Sequence, residues 1–119
     1  MNHIELGKQG EIIAKRFLKD QKMLILDSNY RWKKQEIDLI AREGDELIII
    51  EVKTRKHESY GAPENAVTRV KQRNLIKAAN AYIQERQLDL DVRFDVISII
   101  HNAYETRIDH IQNAFYPTL

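Results

Sequence analysis

The sequence predicts one α/β domain built on a central mixed sheet of about five strands with helices on its faces. Three observations carry this. Apolar residues recur at helical spacing over 4–21 and again up to about residue 86. Three strand-like runs lie between those stretches and two more follow the second. The order helix, three strands, helix, two strands places a helix as the crossover between strands of one sheet, so parallel and antiparallel pairs must mix. At 119 residues the chain fits a single domain, 1–119, with little room for two.

Each element has its own signal. In the first helix Leu6, Ile13, Ala14, Phe17 and Leu18 share a face, and Asn2 can cap it with Glu5 three positions on. Gly7 and Gly10 interrupt this pattern, each at about 1 kcal/mol relative to alanine. They are either weak helix formers near a frayed end or a smooth patch where another backbone or a ligand comes close. Residues 23–31, 36–43 and 46–54 read as strands, and Glu43-Gly44-Asp45 as a tight hairpin. Residues 56–62 lack periodicity and read as a loop. Pro63 suits the first turn of the second helix. Val67, Val70, Leu75, Ala78, Ala79, Tyr82 and Ile83 are expected on the inner side of that helix. A fourth strand spans 92–100, and a shorter fifth, near 105–111, pairs with it through the turn at 101–104.

Composition narrows the function classes. Hydrophobic residues make up 43% and charged ones 31%, enough for one core with a solvated surface. With 19 basic and 18 acidic residues the net charge is +1, so any nucleic-acid footprint must be local. The absence of cysteine excludes disulfides, thiolate zinc sites and cysteine nucleophiles. The N-terminal stretch has no long apolar core, and the aliphatic run at 47–50 is far too short to span a bilayer. A cytoplasmic protein is the expectation.

The chemistry concentrates in "EIDLIAREGDELIIIEVKTR", residues 36–55. Side chains alternate along a strand, so Glu36 and Asp38 share one side of the second strand, and Glu51 and Lys53 one side of the third. A tight hairpin brings Asp38 opposite Glu51. Two adjacent carboxylates repel, and a divalent cation between them removes the objection. Lys53 is then placed to stabilise a pentavalent phosphate or orient the attacking water, and Glu11 can add a third carboxylate from the first helix. The same residues also fit an ordinary salt bridge on a solvated sheet face, and the chemistry alone does not choose between the two.

The spacing Asp38, twelve residues, Glu51-Val52-Lys53 resembles the PD-(D/E)XK signature of restriction-endonuclease-like nucleases. More closely, the chain is similar to the YraN-like family of small bacterial proteins. The likeness runs through "GKQGE" (7–11), "NYR" (29–31), "EIDLIA" (36–41), "EVKTR" (51–55), the helix with Lys71, "RFDVI" (93–97) and "IQNAF" (111–115). The resemblance implies a restriction-endonuclease-like fold and kinship with archaeal Holliday-junction resolvases. It implies Glu11, Asp38 and Glu51 as ligands of Mg²⁺ or Mn²⁺, Lys53 as the catalytic lysine, and Lys71 near the active centre. Gln35 stands where the family usually has glycine.

Local positive charge supports a nucleic-acid partner, DNA above all. Arg69, Arg73 and Lys77 form a stripe at i, i+4 and i+8, with Lys71 between them. Arg31, Lys33 and Lys34 surround Trp32, and Arg55 follows Lys53. Such groups neutralise phosphates, and Trp32 or Tyr30 can stack on an unpaired base. His3, His57, His101 and His110 form no metal-type spacing. Asp95 reads as a structural partner of Arg93. The expectation is a metal-dependent DNA endonuclease acting on branched or single-strand-containing DNA, as a homodimer by the usual two-fold rule. The rivals are a catalytically silent nucleic-acid-binding module and a protein-interaction scaffold.

Overall fold

A computed structural model describes residues 2–58 and 67–117. The elements run α1 (His3–Asp20), β1 (Leu24–Trp32), β2 (Gln35–Glu43), β3 (Glu46–Arg55), α2 (Arg69–Arg86), β4 (Asp91–His101) and β5 (Thr106–Phe115). The five strands form one mixed sheet in the order β1-β2-β3-β4-β5. The β3–β4 pair is parallel, joined by the crossover through α2, and the other pairs are antiparallel. Pro63 and most of the expected loop lie outside the described residues.

The "LIII" run of β3 is continuous because both faces of the sheet are covered. Ile48 and Ile50 join Leu39, Ala41, Ile97 and Ile99 against Ala14 and Leu18 of α1. Leu47 and Ile49 join Ile37, Ile40 and Val96 against Leu75, Ala78 and Tyr82 of α2. Two-residue turns set the register of the meander. Glu43 pairs with Glu46 around Gly44, whose φ of 59° is the left-handed conformation that glycine takes without strain. Trp32 pairs with Gln35 around Lys33 and Lys34, a turn with no glycine to announce it.

Asn2 caps α1, its Oδ1 accepting from the N–H of Glu5 at 2.8 Å. The helix buries Leu6, Gly10, Ala14 and Leu18. Gly10 is there because α1 lies directly on β3: a Cβ at this position would meet Thr54 Oγ1 at 1.8 Å. Gly7 has open space instead. Thr68 caps α2 through Lys71 N–H at 3.2 Å. Val70, expected on the inner side of α2, is 60% exposed. At 3.6 residues per turn it falls well round the helix from the Leu75, Ala78 and Tyr82 stripe.

β5 reaches Phe115, four residues past its expected end. Between Phe94/Val96 the β4–β5 register shifts, and Asn113 takes a φ of 52°. This bulge is built around Asp95, which is almost fully buried. Its carboxylate accepts from Arg93 Nε at 3.0 Å and from the N–H of Asn113 at 3.0 Å, and His110 Nε2 lies 2.8 Å away. The Arg93 pairing expected from sequence is present, and the network ties β5 to β4.

Candidate active site

Asp38 lies where the sheet changes face. Ile37 packs on the α2 side and Leu39 on the α1 side, although residues two apart on a regular strand share a side. Asn29, between the paired Ser28↔Leu39 and Tyr30↔Ile37 positions of β1, has a φ of 54°. The alternation slips here in both strands. Asp38 therefore opens onto a cleft of about 330 Å³ beside α1, shared with Gly7, Glu11 and Lys53, and onto another of about 310 Å³ beside α2, shared with Lys34, Glu36 and Lys71.

The hairpin register runs to Leu39↔Ile50, and one step further brings Asp38 beside Glu51. Asp38 Oδ2 accepts from the N–H of Val52 at 2.8 Å, so a side chain ends this part of the ladder. Burial and then the Glu51 charge, with a smaller push from Glu11, raise the Asp38 carboxyl to about 7, against the pull of Val52 N–H and Lys71. Glu51 is 4% exposed. Its Oε1 faces Lys71 Nζ at 3.0 Å and Lys53 Nζ at 3.7 Å. Its Oε2 is buried with no hydrogen-bond partner. A buried carboxylate oxygen without a hydrogen-bond partner, beside a carboxyl whose ionisation is resisted, has the chemistry of a cation donor pair. These residues fit a hard divalent ion held by two carboxylates with water and phosphate completing its shell.

Glu11 shares the α1-side cleft with Asp38. Turning the Asn29 amide gives hydrogen bonds to Glu11 Oε1 at 2.7 Å and Glu36 Oε1 at 2.8 Å, so Asn29 bridges the two glutamates. Among the described residues no three carboxylate or imidazole groups converge on one ready-made metal position. Asn29, Glu36 and the ion pair from Lys71 to Glu51 are the parts of this neighbourhood that the sequence did not reveal as such. The left-handed asparagine is invisible in a strand pattern. The Lys71 contact crosses twenty residues of chain.

The basic residues divide. Lys71 shares the sheet-facing side of α2 with Leu75, Ala78 and Tyr82, at i+4, i+7 and i+11, which aims it at Glu51. Arg69, Arg73 and Lys77 are exposed on the outer side. Arg69 and Arg73 line a different groove, of about 340 Å³, with Ile76, Phe115 and Tyr116. Neither lines the clefts at Asp38. Helical spacing put this stripe and Lys71 on opposing sides. Lys34 does line the carboxylate cleft. Arg31 pairs with Glu36 at 3.6 Å, and Arg55 donates to Ser98 Oγ at 3.2 Å.

Tyr30 and Trp32, expected to be able to stack on an unpaired base, both make contacts within the fold. Tyr30 sets its ring edge-on to Tyr82 at 5.0 Å, and its hydroxyl donates to Glu85 at 3.0 Å. Trp32 packs partly buried on the α2-side core, with Lys33 Nζ 4.6 Å from its ring centroid. Both rings are engaged within the fold. Among the described residues, no helix is long and apolar enough to cross a membrane.

A five-strand mixed sheet with a helix on either face, an aspartate on its second strand, and a glutamate and lysine two apart on its third define a restriction-endonuclease-like fold. Within that class the chain belongs to the family described as Uncharacterised protein family UPF0102, whose model matches residues 10–99, the YraN-like family expected from the motifs. A UPF0102 protein of Christiangramia forsetii is 46% identical over 114 residues, covering 96% of each chain. One from Phocaeicola vulgatus is 43% identical over 117 residues, and one from Bacteroides thetaiotaomicron 44% over 117, each covering 98% of this chain and 97% of the relative.

Proposed function

We propose that this protein is a metal-dependent endonuclease that hydrolyses DNA phosphodiester bonds in branched or single-strand-containing DNA. The observation that carries the reading is the buried, unpartnered Glu51 Oε2 next to Asp38, with two lysines on the other oxygen. Asp38 and Glu51, with Glu11 beside Asp38, would hold Mg²⁺ or Mn²⁺, which when bound supplies a more acidic water and positive charge at the phosphate. The chain's own groups do the rest. Val52 N–H fixes the Asp38 carboxylate. Lys71 clamps Glu51 Oε1, and Oε2 is left without a hydrogen-bond partner for the cation to take. Lys53, half-buried, keeps an ammonium at the cleft, where it neutralises a phosphate oxygen as negative charge grows. Lys34 lies on the approach. Arg69, Arg73 and Lys77 bind duplex phosphates away from the chemistry. A homodimer acting in the cytoplasm completes the proposal.

The experiment is incubation of labelled flap, junction, single-stranded and duplex DNA with Mn²⁺, beside Glu51→Ala and Lys53→Ala. Cutting of one substrate that both substitutions abolish is the expected result. Uniform inertness of the wild type refutes the enzyme. A silent DNA-binding module is the second reading, favoured by the absence of a three-carboxylate cage among the described residues. It predicts salt-dependent binding of branched DNA that is never cut.

A further inference from the structure

The cleft beside α1 does not end at the carboxylates. It shares His3, Leu6 and Thr54 with a second hollow of about 420 Å³ that reaches Lys56 and His57. That hollow shares Leu6 and Lys56 with a third, of about 470 Å³, that reaches Asn102 and Ala103. One groove therefore runs from Glu11, Asp38 and Lys53, past the first turns of α1, to the turn between β4 and β5.

Lys56 and His57 stand on one wall of this groove. Lys56 and His57 are exposed, and neither has a carboxylate partner among the described residues. Among the described residues, Arg107 holds Glu58 at 2.6 Å and Glu105 at 3.3 Å. The far end is built, not loose. Asn102 Oδ1 accepts from the N–H groups of Tyr104 at 2.8 Å and Glu105 at 3.1 Å, closing the turn. The Asn102 amide also donates to the backbone carbonyl of Lys56 at 2.7 Å, which docks the turn on the groove wall. This braced turn holds Tyr104 94% exposed, whereas Tyr30 and Tyr82 pack on each other. Phosphate-neutralising side chains followed by a free aromatic ring are what an unpaired strand requires.

We propose that this groove is the track of an unpaired DNA strand leading away from the scissile bond. Its phosphates lie on Lys56 and His57, and one base stacks on Tyr104. The proposal rests on the nuclease reading and narrows its substrate to DNA with a single-stranded arm. The test is fluorescence anisotropy with labelled single-stranded and blunt duplex oligonucleotides in EDTA, where nothing is cut. Tyr104→Ala, at a position too exposed to disturb the fold, is expected to weaken single-strand binding roughly ten- to hundredfold and duplex binding less than about twofold. Tyr104→Trp keeps the single-strand affinity. Lys56→Ala lowers the slope of log affinity against log salt by about 0.7, one single-strand phosphate contact. Single-strand affinity unchanged in Tyr104→Ala, or lost equally for duplex, overturns the track. If that happens while the wild type still cuts DNA through Glu51, the track alone is wrong. If Tyr104-dependent binding holds and nothing is cut, the track stands and the nuclease reading falls.

Discussion

Replacing Asp38 by asparagine should stabilise the metal-free protein above neutral pH. The folded carboxyl is raised from 3.8 to about 7 by burial and by Glu51. A raised acid binds more protons in the folded chain than in the unfolded one. Its ionisation therefore costs stability progressively as pH rises from the unfolded value through the folded one, and the loss is complete above both. Three units correspond to about 4 kcal/mol as a ceiling, and residual solvent contact reduces this to about 2 kcal/mol. Asparagine keeps an acceptor for Val52 N–H at the same position, and the weaker neutral bond returns about 0.5–1 kcal/mol of the gain. A net gain of about 1–1.5 kcal/mol near pH 8, or about 3–6 °C in Tm, should shrink to nothing near pH 4. Thermal unfolding followed by circular dichroism in EDTA measures it, and the difference between variant and wild type cancels the histidines. Added Mn²⁺ should raise the wild-type Tm and move the variant less. An asparagine variant no more stable than wild type near pH 8, or a gap that does not change with pH, would refute the reasoning.

Other positions give sharper signs. Gly10→Ala should destabilise by about 1–3 kcal/mol despite the better helix propensity, because its Cβ meets Thr54; Gly7→Ala, in open space, should gain about 0.5–1 kcal/mol, and urea unfolding compares them. Asp95→Ala should cost about 3–5 kcal/mol by removing the buried carboxylate that Arg93 and His110 share, with Arg93 keeping only its half-exposed partners Glu46 and Glu43. Burial pushes the Asp95 carboxyl up, but the bonds from His110, Arg93 and Asn113 N–H together hold it below its ordinary value. Its contribution is thus present above the unfolded pKa and is lost as pH falls through the folded one, so acid titration of wild type and Asp95→Asn should converge at low pH. Lys71→Met should cost about 1–3 kcal/mol in EDTA by stripping Glu51 Oε1 of its 3.0 Å partner, and Mn²⁺ should recover most of that loss.

Much of this was legible because strand periodicity and turn chemistry are local. Counting back from the Gly44-Asp45 turn puts Asp38 against Glu51, which is where the register carries them. The C-terminal end of β5 and the Lys71 contact with Glu51 were not legible, for different reasons. Asn113 sits in a bulge whose cause is a buried aspartate on another strand, so the alternation that announces a strand breaks before the strand does. The resemblance implies Lys71 near the active centre, and Leu75 and Tyr82 are expected on the inner side of its helix, but nothing local pairs its ammonium with Glu51 twenty residues earlier. Trp32 and Tyr30 look free for a ligand because nothing near them in sequence says that α2 will cover them.

The slip at Asp38 explains why acids from both sides of the sheet can act together. On a regular strand Asp38 would share its side with Glu36 and Ile40 and see only the α2 face, where Glu51 and Lys71 lie. The left-handed Asn29 and the change of face between Ile37 and Leu39 turn this position towards the α1 cleft as well, where Glu11 adds its charge. The same Asn29 side chain then bridges Glu11 and Glu36. A backbone irregularity thus does what no alternating pattern can: it couples a helix on one face to a lysine on the other through a single carboxylate. Straightening β1 with Asn29→Val should therefore relieve the backbone strain but uncouple Glu11. A weaker response of Tm to Mn²⁺, with unchanged or higher stability in EDTA, is the signature that distinguishes this role from simple packing.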